Sequence, residues 1–465
     1  MNYAVKFLSD TVGYGEVRLS GFQGVEIPQG VCAVVGPNGS GKTTLGQALE
    51  IGRYGFGNKL SFAREGMTVK MIAFTDIHSL TGIHVARHDQ RLEASENELV
   101  PTVGEIIARQ PDPERFAELC EVFALTDVAD KKVNYLSSGE LRKMLLINTL
   151  LSRPDILVLD NPYIGLDAHS RGQLDVTLKA MAETGLTIVL LLCDPAEIPD
   201  YTNSVIVLND CKLEKVIEGN SYPSATERIN IDPRDIPAHR SEYPCFEVAF
   251  SITDGHLKYG DRVVLEGIDW CVKGGERWAL TGPNGSGKSL LLSYVCADHP
   301  QAYANDIVLF DRRRGTGESI WEIKDKIGYS NPEMQLYFKS PLPVEQIVAQ
   351  GLRSPLDRYR KLEADELREA RTWLGLLGIE PLSDRKYQTL SSGQQRMVLL
   401  AAALIKQPPL LILDEPLHGL DPENKQRILQ IVNAIEARSG RSLIFVSHYL
   451  NEIPSCVTHT FTLKK

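Results

Sequence analysis

The chain has 465 residues, which exceeds the roughly 100–200 residues of an ordinary domain, so we expect two or three domains. Its 43% hydrophobic and 24% charged residues exclude a disordered or fibrous protein. The net charge of −10 disfavours sequence-independent binding to nucleic acid, because such binding requires Lys and Arg to neutralise phosphates.

The first predicted element is an apolar strand, Val31 to Val35, followed by GPNGSGKT at 36 to 43. A GxxxxGK[ST] pattern between a strand and a helix is typical of a phosphate-binding loop, whose backbone N–H groups face the phosphates. The Lys42 ammonium would neutralise phosphate charge, and the Thr43 hydroxyl would ligate Mg²⁺. The nucleotide-binding residues expected here are Gly36, Asn38, Gly39, Ser40, Gly41, Lys42, Thr43 and Thr44.

Two further motifs occur in the first half of the chain. LSSGE at 136 to 140 opens a predicted helix, and the strand ILVLD ends at Asp160. A carboxylate at the carboxyl end of a parallel strand faces the ligand crevice, so Asp160 is a candidate Mg²⁺ ligand. The next residue, Asn161, carries a neutral amide that is a poor general base.

Residues 219–245 contain four prolines and no apolar periodicity, which predicts an extended linker. Beyond it the motifs recur in the same order. GPNGSGKS at 282 to 289 is offset by 246 residues, and LSSGQ at 390 to 394 is offset by 254. We therefore predict two domains, residues 1–218 and 246–465. The second loop supplies Gly282, Asn284, Gly285, Ser286, Gly287, Lys288 and Ser289.

The second strand motif, LILDEP, places Asp414 opposite Asp160 by the 254-residue offset. Here the following residue is Glu415, which can orient and polarise an attacking water. Continuous apolar strands such as Ile188 to Leu192 and Leu443 to Val446 imply a parallel sheet buried on both faces. The predicted fold class is α/β, with two P-loop NTPase domains in tandem.

LSSGE and LSSGQ each lie between the phosphate loop and the strand aspartate of their half. In this position they resemble the signature motif of ATP-binding cassette (ABC) ATPases. The resemblance implies a parallel-sheet core with a helical subdomain in each cassette. It also implies head-to-tail pairing of the two cassettes of this chain, with each ATP between one phosphate loop and the other cassette's signature.

Carried over to this sequence, the resemblance implies two unequal composite sites. One takes Lys288, Ser289, Asp414, the catalytic Glu415 and the switch histidine His448, and its signature residues would be Ser137 and Gly139. The other takes Lys42, Thr43 and Asp160, with Ser391 and Gly393 as its signature residues, but has Asn161 and Cys193 where the glutamate and histidine are expected. Tyr259 fits the aromatic that stacks on adenine.

This asymmetry predicts one hydrolytic site and one site that binds ATP but turns over slowly. The alternative is that both sites hydrolyse ATP, the first with reduced efficiency, because the effects of two missing groups need not add.

Some features depart from the pattern. Pro332 stands where the family places a glutamine in IGYVxQ, and Gln335 could be displaced into that role. His84 and His88 have i, i+4 spacing but no third ligand nearby, so a metal site is disfavoured. The basic run Arg312 to Arg314 is interpreted as a solvated turn, with an acidic partner or nucleic-acid contact as the alternative.

The whole chain resembles the ModF-type tandem ABC ATPases, which are named for association with molybdate transport. That resemblance implies a separate transmembrane permease as partner and a cytoplasmic protein, peripheral at the cytoplasmic face of the inner membrane. The longest apolar run, Met397 to Ile405, is half a membrane span. The alternative is a soluble ABC ATPase that regulates ribosomes, nucleic acid or another cytosolic partner.

Overall fold

In the computed structural model, the described residues are 3–52, 60–73, 101–108, 112–123, 125, 128–132, 136, 138–166, 168–220, 222, 229–238, 245–259, 262–283, 285–332, 334–354, 357, 360–439 and 441–464. The chain forms two compact units. The first comprises Met1–Ala225 with Gly419–Asp421, and the second comprises Thr226–His418 with Pro422–Lys465.

The first unit is built on a sheet whose described strands run in the order β11-β10-β5-β9-β8-β7. All neighbours are parallel except the β10–β11 pair at one edge. Its strands are β1 (Tyr3–Phe7), β2 (Val12–Tyr14), β3 (Val17–Leu19), β4 (Glu26–Pro28), β5 (Val31–Val35), β6 (Leu60–Phe62), β7 (Val69–Ala73), β8 (Ile156–Asp160), β9 (Thr187–Leu192), β10 (Ser204–Asn209) and β11 (Lys212–Glu218). Its helices are α1 (Lys42–Ile51), α2 (Val103–Ala108), α3 (Pro113–Val122), α4 (Ser138–Leu150) and α5 (Ala168–Glu183).

The second unit repeats this plan with a fully parallel sheet of described strands in the order β17-β18-β19-β14-β20. Its strands are β12 (Val248–Tyr259), β13 (Arg262–Lys273), β14 (Arg277–Thr281), β15 (Asp306–Leu309), β16 (Arg312–Arg313), β17 (Ile327–Ser330), β18 (Leu410–Asp414), β19 (Ser442–Val446) and β20 (His459–Thr462). Its helices are α6 (Lys288–Val295), α7 (Ile320–Asp325), α8 (Met334–Tyr337), α9 (Val344–Gln350), α10 (Ala364–Leu376), α11 (Ser392–Ile405) and α12 (Pro422–Ser439).

The central strands have the burial that their apolar sequences predict. Every residue of β5, β8 and β9 is buried, as is every residue of β18 and β19. Side chains of opposite pleat enter separate clusters on the two faces, such as Ala33 on one face and Val34 on the other. A parallel sheet that is buried on both faces needs continuous apolar strands, and these strands are apolar and buried throughout. The α/β prediction is therefore confirmed.

A helical layer accompanies each sheet. In the second unit α9, α10 and α11 pack together around Trp373, whose side chain is fully buried. In the first unit α3 and α4 contribute Phe116 and Leu146 to the core. Helices α4 and α11 begin within the two LSSG motifs, so this layer positions the segments that the ABC resemblance singled out.

The predicted linker is not wholly extended. Residues 233–235 form a short 3₁₀ turn, which Asp232 caps by accepting a hydrogen bond from the Arg234 amide. The next residue, Ile236, is buried, and the Pro237 carbonyl accepts a hydrogen bond from Gln407 Nε2 at 2.9 Å. The buried Ile236 side chain anchors this segment on the second unit. The proline pattern alone did not predict this contact.

Candidate nucleotide-hydrolysis sites

Both phosphate loops connect a buried strand to a helix, as predicted. In the first unit the loop lies between β5 and α1, with Gly39 at φ 87° and Gly41 at φ 97°. In the second it lies between β14 and α6, with Gly285 at φ 76° and Gly287 at φ 92°. These left-handed conformations require glycine, and they turn successive backbone amides into one concave surface suited to an anion.

The loop lysines lie folded over their own loops. Lys42 Nζ donates to the Gly36 and Pro37 carbonyls at 2.6 and 2.8 Å. Lys288 Nζ donates to the matching carbonyls of Gly282 and Pro283 at 2.9 and 3.0 Å. Each ammonium is thus held beside the cradle of amides, where it adds positive charge to an anion site.

In each unit a hydroxyl of the first helical turn meets the strand aspartate. Thr43 Oγ1 donates to Asp160 Oδ2 at 2.6 Å, and Ser289 Oγ donates to Asp414 Oδ2 at 3.3 Å. Hydroxyl and carboxylate oxygens are the hard donors that Mg²⁺ prefers, and its remaining positions are usually filled by water and phosphate oxygens. The four residues therefore fit the metal that the sequence predicts.

The residue after each aspartate has the same unusual backbone in both units. Asn161 has φ 51° and Glu415 has φ 47°, a left-handed conformation in which non-glycine residues are uncommon. Their amides donate to equivalent strand carbonyls, Leu191 at 2.9 Å and Val446 at 3.1 Å. The two positions thus differ in side chain while the backbone is the same.

Glu415 is held between two imidazoles. His448 Nε2 lies 2.6 Å from its Oε1, and His418 Nδ1 lies 2.6 Å from its Oε2. Burial raises the pKa of the Glu415 carboxyl, but His418 and His448 together lower that pKa well below its usual range. The group is therefore a carboxylate at neutral pH, which is the form a general base requires.

In the first unit the positions equivalent to Glu415 and His448 hold the uncharged side chains of Asn161 and Cys193. The Asn161 amide donates to Asp160 Oδ1 at 2.7 Å, and the Cys193 thiol lies 3.1 Å from Asn161 Oδ1 and from Asn38 Oδ1. Burial raises the pKa of the Cys193 thiol to about 11, so it stays protonated. This arrangement holds Asp160 in place, and neither the Asn161 amide nor the protonated Cys193 thiol is a base comparable to the Glu415 carboxylate.

The second signature motif begins a helix as predicted. Ser391 caps α11: its Oγ accepts from the Gln394 amide at 3.4 Å, while Gln394 Oε1 accepts from the Ser391 amide at 3.1 Å. Gly393 lies buried in the first turn of α11, and Gly139 lies in the first turn of α4. Ser137, Asn284 and the Tyr259 side chain lie outside the described part of the structure, although the Tyr259 backbone ends β12.

Gln335 takes a position of its own. It lies on α8, where its Nε2 donates to Gln395 Oε1 at 3.3 Å, and Gln395 in turn donates to the Tyr387 carbonyl. Gln335 therefore contacts the signature helix α11. Pro332 stands at the predicted glutamine position, and Gln335 lies three residues further along the chain, in α8.

The arginine run is only partly a solvated turn. Arg312 and Arg313 are exposed, whereas the Arg314 side chain is 2% exposed, paired with Glu318 at 2.7 Å and stacked on Tyr303. Arg314 therefore belongs to the core of its loop. His84 and His88 fall outside the described residues, and among the residues that are described no cluster of three or more His, Cys, Asp or Glu could hold a metal ion.

One residue of this site was missed by the sequence reasoning. His418, three positions after Glu415 in LHGLD, pairs with the glutamate, while the first unit has Ile164 at that position. The sequence did carry a signal: the second repeat has a titratable side chain three residues after the glutamate, and the first repeat does not.

Comparison with known proteins gives the family. Residues 25–164 and 265–418 match the family described as ABC transporter. The chain is an ABC-type ATPase. It has two cassettes, the first and second units described above, and the family supports ATP binding and ATP hydrolysis.

Two relatives of this ATPase match more than nine-tenths of its chain. The ABC transporter ATP-binding protein ModF of Escherichia coli is 36% identical over 96% of this chain and 94% of its own. An uncharacterized ABC transporter ATP-binding protein of Schizosaccharomyces pombe is 30% identical over 91% of this chain and 90% of its own. The ModF-type tandem resemblance is thereby confirmed.

A solved structure supports the fold of the ATPase. An archaeal ribosome recycling factor, aABCE1, solved in complex with a ribosomal stalk protein, has a TM-score of 0.55 at 18% identity. The match covers 97% of this chain and 86% of that one. None of the helices that the structure describes in the ATPase is long and apolar enough to cross a lipid bilayer.

Proposed function

We propose that this ATPase binds ATP and Mg²⁺ at two composite sites and hydrolyses ATP mainly at the site built on the second cassette. The observation that carries the proposal is the contrast between Glu415, a carboxylate held by two histidines, and Asn161, an amide beside a thiol. We assign the cassettes to residues 1–218 and 246–465, joined by 219–245, with each signature serving the other cassette's nucleotide.

The residues of the second site divide the work. The amides of the glycine loop and Lys288 bind phosphate, Ser289 and Asp414 hold Mg²⁺, and Glu415 accepts a proton from the attacking water. The metal would neutralise charge on the phosphate oxygens. The first site has the same binding groups, Lys42, Thr43 and Asp160, so it supports nucleotide binding without a base of comparable strength.

Paired substitutions test the assignment of hydrolysis. Glu415→Gln keeps the shape of the side chain but removes the base, so turnover should fall by ~10²–10⁴-fold. The matched change Asn161→Gln exchanges one amide for another and should leave turnover close to that of the wild type. Steady-state phosphate release measures both, with ATP affinity from fluorescence titration as the control for binding. Equal losses from the two changes would refute the asymmetry.

We further propose that the ATPase energises a separate membrane permease. The support is the full-length similarity to a protein named as an ABC transporter ATP-binding protein. Molybdate as the transported ion is suggested only by the resemblance to the ModF-type ATPases. A soluble role remains the second candidate, because Pro332 replaces the glutamine that the family uses near its membrane partner, and Gln335 contacts α11 instead.

Partner capture separates the two roles. The Glu415→Gln variant, which should hold ATP, is tagged and recovered from detergent-solubilised cells with and without ATP. A multi-span membrane protein that co-purifies in the ATP-bound state supports the permease. Recovery with ribosomes alone would replace it with the soluble role, while leaving the assignment of the hydrolytic site untouched.

A further inference from the structure

His418 occupies a place in the second cassette that has no assigned role. It lies four residues after the strand end, and its amide donates to the Glu415 carbonyl at 3.3 Å to close a tight turn. That turn brings its imidazole Nδ1 to 2.6 Å from Glu415 Oε2. Both side chains are largely enclosed, with 11% of His418 and 17% of Glu415 exposed.

The two histidines contact different oxygens of the same carboxylate. His448 comes from the segment after β19 and lies beside Oε1, while His418 comes from the loop of Glu415 itself and lies beside Oε2. A glutamate has three rotatable side-chain torsions, so a carboxylate held at only one oxygen can still pivot about that contact. A second donor on the other oxygen removes this freedom.

We propose that His418 is a positioning residue that anchors Oε2 of Glu415, so that Oε1, the oxygen on the side of His448, is the one that faces the attacking water. The inference rests on the proposed hydrolytic role of Glu415. In that step the water oxygen bonds to the γ-phosphorus, the bond to the bridging oxygen breaks and leaves its electron pair on ADP, and a water proton passes to Glu415. His418 acts through its contact with the glutamate.

The first cassette shows the same loop without this contact. The Ile164 amide closes an equivalent turn to the Asn161 carbonyl at 3.4 Å, so the backbone at this point is shared. The side chain is an isoleucine that can donate no hydrogen bond. The cassette with the glutamate has the anchoring histidine, and the cassette with the amide lacks it.

Substitution of His418 by leucine and by asparagine tests the proposal. Leucine fills a similar volume without a donor, whereas the asparagine Nδ2 is bonded to Cγ as the histidine Nδ1 is, and can replace its N–H. We expect H418L to lower kcat by about 10–100-fold with KM and ATP affinity unchanged, because displacement of a reacting group costs this much. H418N should restore most of the lost kcat.

Two further variants complete the experiment. Ile164→Ala, the matched change in the first cassette, should leave kcat unchanged. In a Glu415→Gln background, H418L should cause no further loss, because both changes act through one carboxylate. Melting temperatures of all variants show whether each is folded.

The outcomes distinguish a failure of the positioning role of His418 from a failure of the hydrolytic role of Glu415. Wild-type kcat in H418L, a loss that appears in KM alone, or a loss in folded H418L that H418N shares in full would overturn the positioning role. If Glu415→Gln itself retains turnover, the proposed hydrolytic site fails instead. A kcat loss in H418L that H418N repairs, with KM and melting temperature unchanged, supports the proposal.

Discussion

The two cassettes have the same framework around their nucleotide sites but different side chains on it. Asn161 and Glu415 share a left-handed backbone and the same amide contact to the neighbouring strand. The groups beyond the strand ends differ: a neutral thiol and amide in the first cassette, and a carboxylate with two imidazoles in the second. The fold therefore does not depend on the catalytic groups, and the chemistry of one cassette can change while its binding loop is kept.

A cluster of two tyrosines and an aspartate lies beside the segment that follows Asp160 in the first cassette. In the first cassette Tyr163 and Tyr201 both donate to Asp175 Oδ1, at 2.5 and 3.1 Å. Burial raises the pKa of both tyrosines, so they remain donors at neutral pH.

In the second cassette Lys425 pairs with Glu452 at 3.0 Å. At the positions that match Lys425 and Glu452, the first cassette has Arg171 and Glu197, whose charged groups lie 3.9 Å apart. The ion pair is therefore common to both cassettes, and the tyrosine–aspartate cluster is what the first cassette adds to it.

After the change at Glu415 itself, the largest difference between the cassettes should come from the switch position. His448→Ala removes the group beside Glu415 Oε1 and should lower turnover by ~10²-fold. Cys193→Ala removes a protonated thiol and should leave turnover close to wild type. Steady-state phosphate release measures both, and comparable losses would mean that the first cassette contributes equally to hydrolysis.

A buried acid distinguishes the second cassette in stability. Glu436 on α12 is 2% exposed, neither of its oxygens has a hydrogen-bond partner within the described residues, and the 254-residue offset places Ala182 at the equivalent position. Burial raises the pKa of Glu436 to about 7, although Arg277 and Arg441 lower it. Protonation of Glu436 therefore stabilises the folded state.

Stability should fall as the pH rises from about 4.5 to about 7, because the folded chain binds a proton that the unfolded chain has lost. The full penalty, reached above pH 7, is at most about 3 kcal/mol for a shift of this size. Glu436→Gln removes this titration. The variant should therefore be more stable relative to the wild type at pH 8 than at pH 5, as judged by the free energy of unfolding. Denaturant titrations at both values measure it, and a pH-independent difference would contradict the prediction.

The smallest effect should come from restoring the first site. Asn161→Glu with Cys193→His rebuilds the missing pair, but Cys193 is buried, and a larger side chain there costs about 1–3 kcal/mol of stability. We expect at most about a twofold rise in total turnover, since one active site would become two. In a Glu415→Gln background any recovered phosphate release must arise in the first cassette, and none at all would show that further groups are missing.

Much of the site could be predicted from local pattern. The strand at Val31–Val35 has the predicted bounds, and the strand ILVLD ends at Asp160 as predicted. Both hydroxyl–aspartate pairs were expected from the motifs, and they form contacts across 117 and 125 residues of sequence. Such motifs succeed because a phosphate loop needs glycine conformations and spacings that few other structures require.

Other features needed the folded chain. The burial of Arg314 and Ile236 depends on partners that no local pattern identifies. The contact of Gln335 with Gln395 joins residues 60 apart and depends on how α8 packs against α11. Amphipathic and motif patterns state which face of an element is buried, but they do not state what covers it.

The sequence by itself determined two cassettes, their binding loops and the unequal residues Glu415 and Asn161, because these are set by composition, spacing and side-chain chemistry. Only the tertiary structure decided that Glu415 lies between His418 and His448, while Asn161 lies against Cys193 and Asp160. The reason is physical: the charge state and orientation of a carboxylate are set by groups within about 4–6 Å in space. Some of those groups, such as His448, come from a different segment of the chain than the carboxylate.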